Sequence, residues 1–166
     1  YSTLPDCFYK KIKPTLVQNP KIFFFNKSLA KKLNLDFLNY SPSLIAEYLS
    51  GNKLPKGSCP IAQAYAGHQF GHFTMLGDGR AILLGEQKAR NKKLYDIQLK
   101  GSGKTPFSRN GDGRATLSSM LREYIISESM HYLKIPTSRS LAVLGTGEKV
   151  SRNLIADGGI LTRVVS

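Results

Sequence analysis

The strongest constraint on the fold is one long amphipathic pattern, which runs from about Arg114 to Leu133. Apolar side chains recur there at i, i+3, i+4 and i+7, the spacing that puts them on one face of an α-helix. Asp112 stands where an N-cap acceptor belongs, and Pro136 stops any continuation of the helix. The pattern predicts one long helix between these two residues.

Short strand-like segments lie on either side of this helix. Phe70 to Leu76, Ala81 to Glu86 and Tyr95 to Lys100 precede it, and Ser140 to Leu144 and Ile160 to Val165 come after it. We therefore predict an α+β fold, with a small antiparallel sheet plus one long helix in the element order of a protein-kinase N-lobe. Many α+β domains share that order, so the order alone does not identify the fold.

Two turns are predicted between the first three strands. Gly77-Asp78-Gly79 indicates a hairpin, because Asp and Gly tolerate a positive φ, and Asn91-Lys92-Lys93 indicates a second turn.

The first 60 residues are predicted to be helical and loop-rich. Ser28 is the expected cap of a short helix through Leu35, and Ser41 with Pro42 opens a helix to about Leu49. We therefore predict two parts: residues 1–60 as a helical and loop extension, and residues 61–166 as the domain that contains the sheet and the long helix.

The net charge of +13 admits nucleic acid, an anionic membrane or a phosphate-rich ligand as partner. The charges come in short pairs such as Lys31-Lys32 and Lys92-Lys93, which favours solvated surface. The sequence has no apolar run of about 18 residues and no secretory signal pattern. Cys7 and Cys59 show neither disulfide-framework nor zinc-site spacing.

The pentapeptide Gly-Asp-Gly-Arg-Ala occurs twice, at residues 77–81 and 111–115. Glycine lets the backbone approach a phosphate closely, and free N–H groups with an adjacent arginine then bind the anion. A helix start at the second copy would favour a phosphate further. The alternatives are an ordinary hairpin with a surface arginine for the first copy and a simple Asp112 N-cap for the second.

A P-loop is excluded at Gly101-Ser102-Gly103-Lys104-Thr105. The motif requires a glycine five positions before Gly103, where Gln98 stands, and no helix pattern comes directly after it. We predict a mobile loop after a strand.

Lys100 ends a predicted strand, and the predicted helix carries Glu123 among apolar neighbours. Strand alternation puts Gln98 and Lys100 on one face. The pattern is typical of the kinase lysine–glutamate pair that positions phosphates. The alternative is a local pair between Glu123 and Arg114, Arg122 or a surface lysine.

His68 and His72 have no third ligand at a familiar spacing, so we interpret them as structural, and the neighbouring Tyr65, Phe70 and Phe73 as core.

Several strings of the sequence, in order, closely resemble the selenoprotein O family of protein adenylyltransferases. The resemblance covers roughly residues 60–165, and the earlier part fits the family's N-terminal extension more loosely. The matching strings are residues 65–71, 76–81, 84–87, 98–103, 105–109, 111–115, 122–124, 127–130 and 135–137.

The resemblance implies a kinase-like fold that binds ATP in a flipped orientation and transfers AMP to Ser, Thr or Tyr hydroxyls of proteins. It implies that the nucleotide-binding residues are Gly77, Gly79, Arg80, Lys100, Asp112, Gly113 and Arg163, with Glu123 as the partner of Lys100.

The resemblance also indicates what this chain lacks. The family's catalytic aspartate and its ligands for Mg²⁺ (or Mn²⁺) belong to a C-lobe, and a second phosphate-binding arginine follows Arg163 in the family. We therefore expect a truncated N-lobe, with no metal ligand in this chain, that is inactive alone and acts with a C-lobe, which a separate chain could supply. Family members are bacterial or mitochondrial, so a cytoplasmic location is expected if the source is bacterial.

Two other functions stay open at this point. A basic nucleic-acid-binding module would explain the charge, although no helix-turn-helix, RNP or zinc-finger pattern appears. Its binding would fall steeply with salt, unlike an ATP pocket. A non-functional gene fragment would unfold or aggregate.

Overall fold

The computed structural model describes residues 1–37, 39–69 and 71–165, and its main element is a nine-stranded sheet with helices packed on it. The strands are β1 (Tyr9–Lys11), β2 (Lys21–Phe25), β3 (Ile61–Gln69), β4 (His72–Gly77), β5 (Ala81–Lys88), β6 (Leu94–Lys100), β7 (Ala115–Thr116), β8 (Arg139–Ser151) and β9 (Ile155–Val165). The helices are α1 (Lys27–Lys32), α2 (Pro42–Ser50) and α3 (Leu117–Tyr132).

The strands are ordered β1-β3-β5-β6-β9-β8-β2, with β4 paired to β3 and β7 paired to β9. Neighbouring strands run antiparallel. The predicted α+β class is therefore confirmed, but the sheet is larger than predicted. The pairing of β6 with β9 determines where two cationic side chains lie, because it sets Gln98 opposite Arg163 and Lys100 opposite Leu161.

The helices cover both faces of the central strands. Side chains alternate along a strand, so neighbouring residues of β8 point to opposite faces. Val143 packs with Met120 of α3, whereas Leu144 packs with Leu33, the C-cap of α1, and with Leu49 of α2. All five are at most 5% exposed. The core thus has a layer on each side of the sheet, and α3 lies on the same side as Val143.

The prediction for the first 60 residues was right about α2, which Ser41 caps, and about the short helix α1, but it named the wrong cap for α1 and missed two strands. Two strands of the sheet, β1 and β2, lie in this region. The short helix α1 is capped by Asn26, whose side chain accepts from the Leu29 N–H, and Ser28 instead donates its hydroxyl to that cap. Tyr9-Lys10-Lys11 and the aromatic run of β2 form edge strands, and their sheet partners are distant in sequence.

The turn at Gly77-Asp78-Gly79 does not close a hairpin as predicted. β4 pairs with β3 along Ala64–Gln69, and β5 pairs with β6, so the turn carries the chain between strands that are not partners. The second predicted turn is confirmed, with Lys92 at φ 65°. Phe70, predicted to begin a strand and to lie in the core, is outside the described residues.

The long helix begins later than predicted. Ala115 and Thr116 form β7, and Thr116 caps α3 by accepting from the Ser119 N–H. Asp112 is therefore not the N-cap. Met120 is buried on the predicted face, whereas Ile125 is 58% exposed. No helix in the described parts of the chain is long and apolar enough to cross a membrane.

A buried carboxylate joins α3 to the N-terminal segment and to β8. Glu128 accepts from Arg139 (2.6 and 2.8 Å), from the Ser140 N–H (3.2 Å) and from the Asn26 amide (2.7 Å). Burial alone would raise the pKa of Glu128, but the hydrogen bonds from Arg139, Ser140 and Asn26 lower it below its ordinary value of 4.5. The ionised form therefore stabilises the fold.

We expect Glu128→Gln to lower the free energy of unfolding at neutral pH by about 2 kcal/mol, because charge-assisted hydrogen bonds are lost. Since the folded pKa is depressed, this contribution is complete above pH 4.5 and disappears as the pH falls through the folded value. Urea unfolding at several pH values measures it. Asp157→Asn, which breaks an exposed pair with Lys149, is the control and should cost less than about 0.5 kcal/mol. Equal losses for both variants would contradict the prediction.

Candidate functional site

A cavity of about 800 Å³ lies between the two Gly-Asp-Gly-Arg segments at one end of the sheet. Every residue that the resemblance implied as nucleotide-binding lines this cavity. Its lining includes Tyr65, Gln69, residues 76–81, Lys100, residues 107–114, Arg152 and Arg163. Glu123 is bonded directly to two of the lining cations.

One carboxylate orients two cations at the inner wall. Lys100 Nζ donates to Glu123 Oε2 at 2.6 Å, and Arg163 Nη1 donates to Glu123 Oε1 at 3.3 Å. These side chains are 20–26% exposed, so the ion pairs are partly shielded from water. Strand β6, helix α3 and strand β9 each supply one member. Among the described residues, Glu123 forms ion pairs with Lys100 and Arg163, and not the local pairs considered as the alternative.

A buried amide extends this cluster toward the first glycine turn. Gln98 Oε1 accepts from Arg163 Nε at 3.1 Å and from Arg163 Nη2, while Gln98 Nε2 donates to Asp78 Oδ2 at 3.3 Å. Asp78 also accepts from the Gln63 N–H at 3.1 Å. Burial raises the pKa of Asp78, against the lowering effects of the Gln63 hydrogen bond and the Arg163 charge.

The glycines of the first turn are required by close packing and not by backbone dihedrals. Neither Gly77 nor Gly79 has a positive φ. A Cβ on Gly77 would lie 2.4 Å from the Phe107 ring. Thr105 donates its hydroxyl to the Asp78 carbonyl at 2.5 Å, and Ser108 donates to the Gly79 carbonyl. The segment after β6, through Thr105, Phe107 and Ser108, therefore packs against this turn and fixes its position.

The backbone of the first turn was predicted to offer free N–H groups to an anion, but two of its N–H groups are already used in hydrogen bonds within the protein. The Asp78 N–H donates to the Gln63 carbonyl at 2.8 Å, and the Gly79 N–H donates to the Gly77 carbonyl at 2.8 Å. What this turn presents to the cavity is the Arg80 side chain. No hydrogen bond or ion pair to that guanidinium occurs among the described residues.

The segment Gly101–Gly103 was predicted to be a mobile loop, but it is buried and its backbone is hydrogen-bonded. Ser102 forms an antiparallel β-bridge with Arg114, and the Gly103 N–H donates to the Gly113 carbonyl at 3.2 Å. Gly113 has φ +68°, and a Cβ there would lie 1.9 Å from the Gly103 carbonyl oxygen. Only glycine fits this crossing of two backbones.

Asp112 pairs with Arg152, which sequence reasoning did not identify. Arg152 donates to both oxygens of Asp112, at 2.7 and 3.0 Å, and to the Arg114 carbonyl at 2.9 Å. The hydrogen bonds from Arg152 lower the pKa of Asp112, with the Arg114 N–H contributing. Arg152 lies in the connection between β8 and β9, 40 residues along the chain, so no local pattern could indicate the pair.

The two histidines lie in neighbouring strands on opposite faces of the β3–β4 ribbon. His68 is opposite Phe73, with the rings 5.7 Å apart, and His72 is opposite Gln69. The prediction that Tyr65 and Phe73 are core was wrong, since they are 47% and 63% exposed. Tyr65 lines the cavity instead. Over residues 1–37, 39–69 and 71–165, no three His, Cys, Asp or Glu side chains gather as a metal site would need.

The cavity is strongly cationic. Its lining contains six arginine or lysine residues and two aspartates. Glu123 offsets part of the charge of Lys100 and Arg163, Glu148 pairs with Arg114 at 3.3 Å, and Asp112 pairs with Arg152. Two other cavities, of about 430 and 810 Å³, lie beside α1 and α2 and are lined mainly by apolar side chains. Of these three cavities, the cationic one is therefore the one whose electrostatic potential attracts anions.

The sheet and its helix thus hold a partly shielded cluster of cations, and comparison with known proteins identifies the family of the chain. The family model for protein adenylyltransferase SelO matches residues 1–165. Protein nucleotidyltransferase YdiU of Pelagibacter ubique is 63% identical over 99% of this chain, and that of Halalkalibacterium halodurans is 58% identical over all of it. The chain belongs to the SelO family of protein adenylyltransferases. It spans 34% of the length of these relatives.

We expect Gly113→Ala to lower the free energy of unfolding by about 2 kcal/mol or more, because the new Cβ meets a backbone oxygen at a positive φ. Gly67→Ala is the matched control, since a Cβ there meets nothing within 4 Å. It should change stability by less than about 0.5 kcal/mol. Urea unfolding of both variants measures the difference, and equal stabilities would show that the two segments do not cross in this way.

We expect Arg152→Met to raise the pKa of Asp112 toward its ordinary value of 3.8, because the hydrogen bonds from the guanidinium are lost. An NMR titration of the Asp112 carboxyl carbon measures the shift. Lys149→Met removes a cation of strand β8 that pairs with Asp157, and should leave the pKa of Asp112 unchanged. An unchanged pKa in Arg152→Met would contradict the pairing of these two side chains.

Proposed function

We propose that this chain is the ATP-binding part of a protein adenylyltransferase with the architecture of a kinase N-lobe. In the full-length protein, AMP is transferred from ATP to Ser, Thr or Tyr hydroxyls of acceptor proteins. Residues 61–166 form the lobe itself, and residues 1–60 are an extension that adds β1, β2, α1 and α2 to it.

The observation that carries this proposal is the shared contact of Lys100 and Arg163 with Glu123 at the wall of a cationic cavity. A triphosphate has several negative charges to neutralise, and cations fixed in advance bind it without a cost of ordering them. Arg80, with no partner among the described residues, is the natural outer contact for the same phosphates.

The reaction itself requires groups beyond these. The hydroxyl oxygen of the acceptor forms a bond to the α-phosphorus, the bond to pyrophosphate breaks, and the hydroxyl proton passes to a base. Lys100, Arg80 and Arg163 offset the charge of the phosphates in this step. Among the described residues that line the cavity, the only carboxylates are those of Asp78 and Asp112, and both already accept hydrogen bonds from the protein, which makes each a poor candidate for the base. We therefore propose that the chain alone does not turn over.

The donor set of the cavity does not fit Mg²⁺. Magnesium prefers an octahedron of oxygens, usually carboxylates, phosphates and water. The cavity offers chiefly guanidinium and ammonium groups, and its two aspartates already accept from Arg152 or from Gln98 and Gln63. A divalent cation would have to arrive with the nucleotide or be held by residues outside this set.

The nucleotide proposal predicts that ATP stabilises the folded chain. A ligand that binds only the folded state increases the free energy of unfolding, by about 2.7 kcal/mol when its concentration is a hundred times Kd. The melting temperature therefore rises with the ligand concentration. We expect a saturable rise with ATP, measured with and without magnesium, and a much smaller rise with GTP. Lys100→Ala and Arg163→Ala should each abolish most of it.

Lys149→Ala is the control, because this lysine forms an exposed ion pair outside the cavity and its loss should leave the ATP response intact. A folded wild-type protein that shows no ATP response would refute nucleotide binding. Binding of DNA or RNA that falls steeply between 50 and about 200 mM salt, without preference for adenine nucleotides, would favour the nucleic-acid alternative.

A further inference from the structure

We propose that Gln98 is a positioning residue, which holds the guanidinium of Arg163 in the orientation that receives the phosphates of the nucleotide. The proposal rests on the proposed function and adds a residue to it. Gln98 is 5% exposed and lines a smaller cavity of about 230 Å³ beside Arg163, but not the main cavity. In this proposal it therefore acts through Arg163 and not by contact with the phosphates.

The sheet itself brings the two side chains together. Gln98 of β6 and Arg163 of β9 are direct cross-strand partners, and alternation turns both toward the face that carries Lys100. Arg163 donates to Gln98 Oε1 through both Nε and Nη2. Two donors on one acceptor fix the plane of the guanidinium, which a single hydrogen bond would not do.

Asp78 determines which end of the amide faces Arg163. An ionised carboxylate only accepts hydrogen bonds, so the amide nitrogen of Gln98 must point to Asp78, at 3.3 Å. The oxygen is thereby directed to the arginine. Asp78 belongs to the first glycine turn, so the orientation of Arg163 is tied to the position of Gly77–Arg80 through one buried amide.

A neutral acceptor suits this position because it orients a cation without neutralising it. A glutamate in place of Gln98 would bring a second carboxylate against Asp78 and would offset the charge of Arg163. With Nε and Nη2 bonded to Gln98 and Nη1 to Glu123, one N–H of Nη1 and one of Nη2 are not used by these contacts. Those two donors are the ones left for a phosphate.

A double-mutant cycle on the full-length protein tests the coupling. We expect Gln98→Leu to weaken binding of ATP and of inorganic triphosphate roughly tenfold, and to leave adenosine binding unchanged. In an Arg163→Met background, the same substitution should change triphosphate binding by less than about twofold, because the residue on which Gln98 acts is gone. Isothermal titration calorimetry gives all four affinities.

Gln87→Leu is the matched control: Gln87 of β5 donates to the Leu33 carbonyl, away from the cationic cavity, and its variant should bind like the wild type. Thermal unfolding establishes that each variant is folded, and Gln98→Met, of equal length, replaces Gln98→Leu if the latter unfolds. Two results would overturn this inference and leave the proposed function intact. One is wild-type triphosphate affinity in Gln98→Leu, and the other is a loss of affinity on Gln98→Leu that is as large in the Arg163→Met background as in the wild type. Absence of ATP binding by the wild type would overturn the proposed function, and the inference with it.

Discussion

The contact of two cations with one carboxylate, Lys100 and Arg163 with Glu123, is the interaction on which the site depends. It needs three elements that are far apart in the sequence: β6, α3 and β9. Two cations that contact the same carboxylate repel each other, and the negative charge of that carboxylate offsets the repulsion. The packing of Met120 on Val143 and Leu161 sets the distance of α3 from the sheet, so the apolar layer under the helix determines whether the ion pairs can form.

The Lys100–Glu123 pair joins distant elements, and it was predicted because a strand lysine followed by a helix glutamate is typical of the kinase lysine–glutamate pair. The α+β class, strand β6 and the long helix were predictable because each depends on local periodicity. Side chains at alternate positions of one strand, and at helical spacing on α3, carry this information in a window of a few residues. The resemblance added Arg163 and Asp112, and the structure places both at the same cavity. Their roles in binding a nucleotide stay a prediction.

The remainder of the site depends on contacts that no local window contains. The roles of Gly77 and Gly113 follow from the approach of Phe107 and of the Gly103 carbonyl. Asp78 and Asp112 occupy the same place in two identical pentapeptides, yet one is buried beside Gln98 and the other pairs with Arg152. The local sequence, which is identical at the two sites, therefore could not predict that the pKa of Asp78 is raised and that of Asp112 is lowered.

The order of the strands has a consequence for how the protein can be divided. Both outermost strands of the main path, β1 beside β3 and β2 beside β8, come from the first 25 residues. Each covers a row of backbone donors and acceptors that would otherwise be open to pairing with another molecule. Removal of this short segment would make β3 and β8 the edge strands instead, and β8 has 13 residues. With the segment in place, the sheet ends in a strand of three residues that carries Lys10 and Lys11 and in a strand of five residues, and short or charged edge strands disfavour pairing with another molecule.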